Sequence, residues 1–371
     1  MARRLYVVAL IAFVLFLAAL HVYRYSFSTP LSADAPRCTQ DTFTGLVKYS
    51  SNSLAASTPL ASIVKDIDES GACRIVQEDC KQLCFHFPHF AQYLLRCWSY
   101  WNQKKVANPI LVTDYISQGD LKKTLPWKRR RFNKAFVKRL QDQIGLSVVA
   151  PSSANSSSAT PFNISNTFSF VMADPWQDSQ DLADLLVSER AKKRRRSKKD
   201  ACKSPRVRIL NREKSRTLSN AKEMALHFTK TFHLSPPVAV HYFERTSFQS
   251  QIDFMATTDI LLSPHGAQLT SLFVMPAPCG SVWEFFPVDF LIPWFFGSLA
   301  TSAASLQHYA SYAGTEVDKD GTVWSTNTTL RVRARNVPYM CPNVTTLEPL
   351  MQKVLQEWYQ CCEKQQRREE K

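Results

Sequence analysis

The chain has 371 residues, 45% hydrophobic and 12% aromatic, enough apolar material for two ordinary domains and too much for a disordered protein. Its net charge of +15 comes almost entirely from two clusters, WKRRRFNK ending at Lys134 and RAKKRRRSKK from Arg190 to Lys199. The remainder is near neutral, which excludes a general nucleic-acid-binding surface, and no GxGxxG, Walker A or GxSxG motif is present.

Arg3 and Arg4 precede an apolar run from Leu5 to Tyr23, just long enough to span a bilayer. Basic residues on its amino side hold that end in the cytoplasm, so residues 5–23 read as a type II signal anchor behind a tail of residues 1–4. A signal peptide cleaved after Ala33-Asp34-Ala35 is the alternative. With an anchor, everything beyond it is lumenal, in the Golgi or endoplasmic reticulum. Sequons at Asn155, Asn163, Asn327 and Asn343 agree, as do ten cysteines that suit an oxidising compartment. Spacing does not reveal their pairing. Cys80, Cys84, His86 and His89 match no standard zinc spacing, and disulfides are the preferred reading there.

Residues 24–70 read as a stem and lead-in. An N-terminal α/β domain is expected over 71–204: a helix from Pro88, a strand over Asn108–Tyr115, a helix with Phe132, Phe136, Leu140 and Ile144 on one face, and a strand over Leu146–Ala150. A further strand over Phe168–Met172 and a helix over Leu182–Arg190 lead into the second basic cluster, read as a solvated connector.

A second domain is expected over 205–371. Val207–Asn211 is a strand, and Asn220 with Glu223 forms a capping-box pattern for the helix that follows. Strand Pro237–Phe243 and a helix through Phe248, Ile252 and Met255 lead to Ile260–Ser263. Pro264-His265-Gly266 breaks that strand, a helix is expected over Ala267–Phe273, and Ser281–Phe286 is the next strand. Such a doubly wound half places the helix N-terminus at Ala267, with its free N–H groups, at the carboxyl edge of the sheet beside the loop carrying Arg212 and Arg216. Two guanidinium groups there make a diphosphate clamp. Glu284 is a lone acid in an apolar strand and needs a partner, which a ribose diol would supply. His265-Gly266 also reads as a plain turn, Glu284 as an edge residue, and both arginines as surface groups. Leu347, Leu350, Met351, Val354, Leu355 and Trp358 form the stripe of a closing helix, docked across both domains or within one core.

The pattern Arg212-x3-Arg216-x3-Asn220, then Gln251, DILLSPHGAQLTSLFVMP and VWEFFP resembles the C-terminal half of a family of inverting glycosyltransferases. Its members include the plant N-glycan xylosyltransferases, the EGF-domain O-GlcNAc transferase and the protein O-mannose β-1,4-N-acetylglucosaminyltransferase. HGAQL and the later LQHYASY are most similar to the last of these. The resemblance implies a GT-B fold, two Rossmann-like domains facing a cleft, and transfer from a UDP-sugar to a glycoprotein glycan without a bound metal or other cofactor. It implies that Arg212 and Arg216 lie on the diphosphate side, that His265 and Gly266 form the HG loop with Ala267 after it, and that Glu284 is the nucleotide-side acid. His89-Phe90-Ala91-Gln92 resembles a family His-x-x-acid segment in which Gln92 replaces the acid, leaving His89 as the candidate base. GlcNAc is the first expected sugar, xylose the second. A non-catalytic sugar-binding protein of the same fold is the rival that Gln92 favours.

Overall fold

The computed structural model describes residues 43–49, 72–75, 84, 86–113, 131–150, 170, 172–194, 202–276, 278–288, 290–313 and 335–369. The anchor segment 5–23 lies outside them, and among the described residues no helix is long and apolar enough to cross a membrane. Among the described residues the architecture is mixed α/β, with two predominantly parallel main sheets and a small two-stranded parallel ribbon.

The smaller sheet is built from β2 (Ala72–Ile75), β3 (Ile110–Thr113) and β4 (Ser147–Val149), paired in that order and all parallel. Helices α1 (Phe87–Lys104) and α2 (Arg131–Ile144) form the crossovers, as parallel pairing requires. Pro88 opens α1, where its missing N–H costs nothing, and Lys105 closes it in the left-handed region, φ 51°.

The larger sheet contains β1 (Phe43–Tyr49), β5 (Val207–Asn211), β7 (Ala239–Tyr242), β8 (Ile260–Pro264), β9 (Ser281–Phe286) and β10 (Gln307–Ala313), in the order β1-β10-β9-β8-β5-β7. The five later strands are parallel, and β1, from the stretch read as stem, pairs antiparallel with β10 at the edge. From β5 the chain passes through α5 (Ala221–Thr231) to β7 on one side, then through α6 (Phe248–Ala256) to β8 on the other. The strand order therefore reverses between β5 and β8. In such sheets that switch point is where ligands bind, at the carboxyl ends of the strands.

The faces of this sheet carry different cores. Val207, Ile209, Ile260, Leu262, Trp283, Phe285 and Tyr309 pack against α5 and the closing helix α8 (Val344–Glu369). On the other face, Leu210, Leu261 and Val282 pack with α6 and with residues of α1, α2 and α3 (Pro175–Leu186) in one continuous cluster. Aromatic pairs stitch it: Phe136 of α2 stacks on Phe273 at 5.5 Å and on Phe248 of α6 at 5.8 Å, and Phe87 meets Phe248 at 5.9 Å. Such pairs contribute about 0.5–1.5 kcal/mol each beyond their buried area. They seat the first turn of α1 against the larger sheet. Helix α8 takes the one-core option of its two readings, packing on α5 and β1.

Several local expectations are revised. Ala267–Val274 is a 3₁₀ helix, not an α-helix. Eight residues must run back along a strand of roughly 16 Å; 3₁₀ geometry covers about 2.0 Å per residue, where an α-helix covers about 1.5 Å. Phe170 and Met172 are not in a strand, because their N–H groups go to Ser298 Oγ at 3.1 Å and Ser302 O at 3.2 Å. The helix expected to run through Arg190 is split into α3 and α4 (Glu189–Arg194). Asp253 on α6 captures the Ser188 N–H and hydroxyl at 2.9 and 2.6 Å, and Ser188 Oγ accepts from Ala191 N to cap the second piece. Asn220 makes no side-chain cap; its amide donates instead to Pro342 O at 2.7 Å.

Cys73 pairs with Cys97, Cys202 with Cys362 and Cys279 with Cys361. Cys84 is also disulfide-bonded, which removes it as a zinc ligand. The adjacent Cys361 and Cys362 staple α8 to the lead-ins of β9 and β5. Cys202–Cys362 closes 160 residues and Cys73–Cys97 closes 24. With Cys279–Cys361 intact, the loop left for Cys202–Cys362 runs only from 202 to 279, and chain entropy assigns about 4.5 kcal/mol to that bridge and about 3.5 kcal/mol to Cys73–Cys97. Urea unfolding of the two double-alanine variants should show the larger loss for Cys202/Cys362. Equal losses would mean that native contacts, not loop length, set the effect.

Candidate active site

The site is assembled at the switch point. The chain leaves β5 at Asn211, whose side chain closes the next loop by donating to Leu218 O at 2.9 Å and accepting from Leu218 N at 2.8 Å. Within that clasp sit Arg212 and Arg216. The loop's far end is fixed by β6 (Thr217–Leu218) pairing with β11 (Tyr339–Met340), continued by Arg216 N donating to Val337 O at 2.6 Å. Arg216 adopts φ 54°, a left-handed conformation uncommon for a non-glycine residue and frequent at functional sites.

Among the described residues Arg212 is held by neutral groups: Nε donates to Ser215 O at 2.8 Å, and Nη2 and Nη1 to Ser215 Oγ and Gln268 Oε1, both at 3.3 Å. Gln268 is itself fixed, donating to Ser263 Oγ at 2.9 Å and Pro264 O at 3.2 Å. Arg216 is 7% exposed, lies over the Phe290 ring at 5.6 Å, and its Nε is buried without a hydrogen-bond partner among the described residues. Burial, then the charges of Arg212 and Arg335, push its pKa down to about 9, with Glu284 opposing. Burial also lowers that of Arg212, partly offset by Glu244. A desolvated cation without a counter-ion is costly. This geometry would best accommodate a bound anion.

Gly266 lies directly beneath Arg212. A Cβ added there would stand 1.9 Å from Arg212 Nη1, so the glycine is required by this close approach. Gly266→Ala should leave the fold intact, since the obstructed atom ends a flexible side chain, yet swing the guanidinium aside. Thermal unfolding within a few degrees of wild type, with anion affinity reduced about tenfold, is the expected pair of results; unchanged affinity would disprove the contact's importance.

Glu284 finds its partner within the protein. Side chains alternate along a strand, so Glu284 shares a sheet face with Val282 and Phe286, His308 shares it on β10, and His265 shares it one residue beyond β8. His265 Nδ1 lies 2.6 Å from Glu284 Oε1, and His308 Nε2 lies 2.9 Å from Glu284 Oε2. The carboxyl group has no exposure. Both its oxygens are occupied by imidazoles, a different partner from the ribose diol expected from the sequence. Burial raises the Glu284 pKa well above the ordinary carboxyl range, with Arg216 opposing. Burial holds His308 down to about 3. For His265, burial acts first in keeping the ring neutral, followed by Arg216, Arg212, Arg335 and His308. The ring packs against Phe286, Phe290 and Phe296 at 5.1–5.4 Å.

His89 approaches from the smaller sheet. It lies in the first turn of α1, 5.7 Å from the Phe295 ring, and Phe295 meets Phe296 at 4.8 Å. An aromatic relay thus joins His89 to His265. Burial first, then His86 and Arg335, lowers the His89 pKa to about 4. Gln92 is buried on the same helix. Arg335, acting on His89, Arg212, Arg216 and His265 together, was not singled out from the sequence, nor were Gln268 and His308. The Gln of HGAQL and the His inside LQHYASY are the signals that could have found the last two.

A mixed α/β fold with a pair of arginines at the switch point is consistent with a Rossmann-like glycosyltransferase. The family described as Glycosyltransferase 61 matches residues 80–282, more than half of the chain, and the chain belongs to that family, which includes the O-mannose and EGF-domain enzymes and the plant xylosyltransferases. No curated protein matches the chain.

Proposed function

We propose that this chain is an inverting, metal-independent glycosyltransferase that moves GlcNAc from a UDP donor to a glycoprotein glycan, in the lumen of the Golgi or endoplasmic reticulum and tethered by residues 5–23. The observation that carries the reading is Arg216, a buried guanidinium with no ion-pair partner among the described residues, beside Arg212 at the sheet's switch point. A diphosphate supplies the missing charge, and two arginines can do the work otherwise given to a divalent ion. Xylose is the alternative sugar, because the anion site is blind to the sugar it carries. The two sheets are read as the two Rossmann-like domains of a GT-B enzyme.

In this mechanism the acceptor oxygen attacks the anomeric carbon as the bond to the β-phosphate oxygen breaks. The charge released on the diphosphate falls between Arg212 and Arg216. The acceptor proton passes to His89, neutral near pH 7 and therefore able to take it.

UDP release by the purified protein with UDP-GlcNAc, UDP-xylose and other donors, in excess EDTA, tests the reading directly. Arg212→Ala or Arg216→Ala should weaken UDP binding about ten- to a hundredfold, with lysine rescuing only in part. Wild-type affinity in both alanine variants, measured by calorimetry, would eliminate the clamp. The role of His89 has its own signature. With its pKa lowered from 6.5 to about 4, the base stays deprotonated as pH falls, so turnover should hold to about pH 5 and decline below it. A decline centred near 6.5, or near-normal turnover in His89→Ala, would remove His89 from the mechanism.

A further inference from the structure

His265, Glu284 and His308 form a row across three adjacent parallel strands, on one face, with the carboxyl group bridging both rings at 2.6 and 2.9 Å. Resting on the donor site proposed above, we propose that Glu284 carries a proton before the nucleotide binds and passes it to His265 Nδ1 when the diphosphate enters, with His308 holding the carboxylate left behind.

The bookkeeping of protons is closed. The Glu284 Oε1–H bond breaks and a His265 Nδ1–H bond forms. His265 becomes an imidazolium with an N–H at both nitrogens, Glu284 becomes a carboxylate, and the net charge of the three groups stays zero. No proton enters from solvent. His308 donates its Nε2–H to Oε2 before and after, which fixes its tautomer and gives the buried carboxylate a neutral donor.

The charges around the row explain why the proton would move. The groups facing His265 are Arg212 and Arg216 from the β5 loop, Arg335 ahead of β11, Glu284 on β9 and His308 on β10; the other neighbours are the rings of Phe286, Phe290 and Phe296. After burial, the three guanidinium groups oppose charging the ring. A diphosphate between those arginines cancels that opposition and adds attraction of its own, so the ion pair His265⁺–Glu284⁻ replaces the neutral pair. His265 Nε2, which has no hydrogen bond among the described residues, then offers a charged donor to the departing diphosphate. Glu284 and His308 act through His265 as positioning residues.

Infrared difference spectroscopy on the full chain, with UDP as the added probe and ¹³C-glutamate labelling, reads this step. Before UDP at pH 7.5, the carbonyl band of a protonated, buried glutamic acid should be present and shift with the label. At saturating UDP it should disappear as a carboxylate band grows. No protonated glutamate before UDP overturns the proposal, and so does a band that survives UDP bound to saturation; the latter leaves the donor site standing. Failure of UDP to bind by calorimetry overturns both. His308→Phe should keep the band in the presence of UDP and weaken UDP binding about tenfold, while His308→Gln, which retains an N–H donor, should restore both. Loss of the band in His308→Phe as in wild type would remove His308 from the step. The labelled wild-type experiment requires no variant to fold.

Discussion

A guanidinium group taken out of water without a carboxylate beside it governs the organisation of this protein. Arg216 is buried, set in a left-handed backbone conformation and laid over Phe290. Arg212 beside it has, among the described residues, carbonyl, hydroxyl and amide oxygens for partners. A carboxylate in direct contact would neutralise the pair and close the site to any ligand. Glu284, a buried acid nearby, is instead engaged by two imidazoles. The local charge stays positive and unspent, and the stability it costs is returned when an anion binds.

Holding such a loop demands a rigid frame. The Asn211 amide imitates a strand partner for Leu218, while β11 pairs with β6 and ties the loop to the segment carrying Arg335. Gln268 reaches back from the 3₁₀ helix to orient Arg212, and Gly266 leaves room for that guanidinium. Two disulfides then fasten α8 beneath the same sheet. The restraints come from well-separated stretches of chain, so no single contact positions the arginines.

The smaller sheet reaches the site through aromatic packing. Phe136, Phe248 and Phe273 bring its helices against the larger sheet, and Phe295 links His89 to the ring that packs on His265. Membership of the Glycosyltransferase 61 family fits this division, since its match crosses from the first sheet into the second. The family establishes sugar transfer as the class of activity. The donor, the acceptor and the compartment are the content of the proposal.

Strong local patterns made much of this legible beforehand. The apolar runs at Val207–Asn211, Ile260–Ser263 and Ser281–Phe286 marked buried parallel strands, and the intervening helices followed from their spacing. Their alternation alone placed Arg212, Arg216 and His265 at one edge, because strands of a doubly wound sheet all deliver their carboxyl ends there. Sequence could not determine partners that arrive from elsewhere. A pleat assigns Glu284 to a face but cannot say that His308, on the neighbouring strand, will occupy its second oxygen. Asn220 matched a cap locally, yet Pro342 O claimed its amide. The length of the return path imposed 3₁₀ geometry on Ala267–Val274. Phe43–Tyr49 became an edge strand only because β10 offered an open ladder. Periodicity and charge are properties of the chain, whereas burial, pairing and the resulting proton affinities exist only once distant segments share the same low-dielectric space.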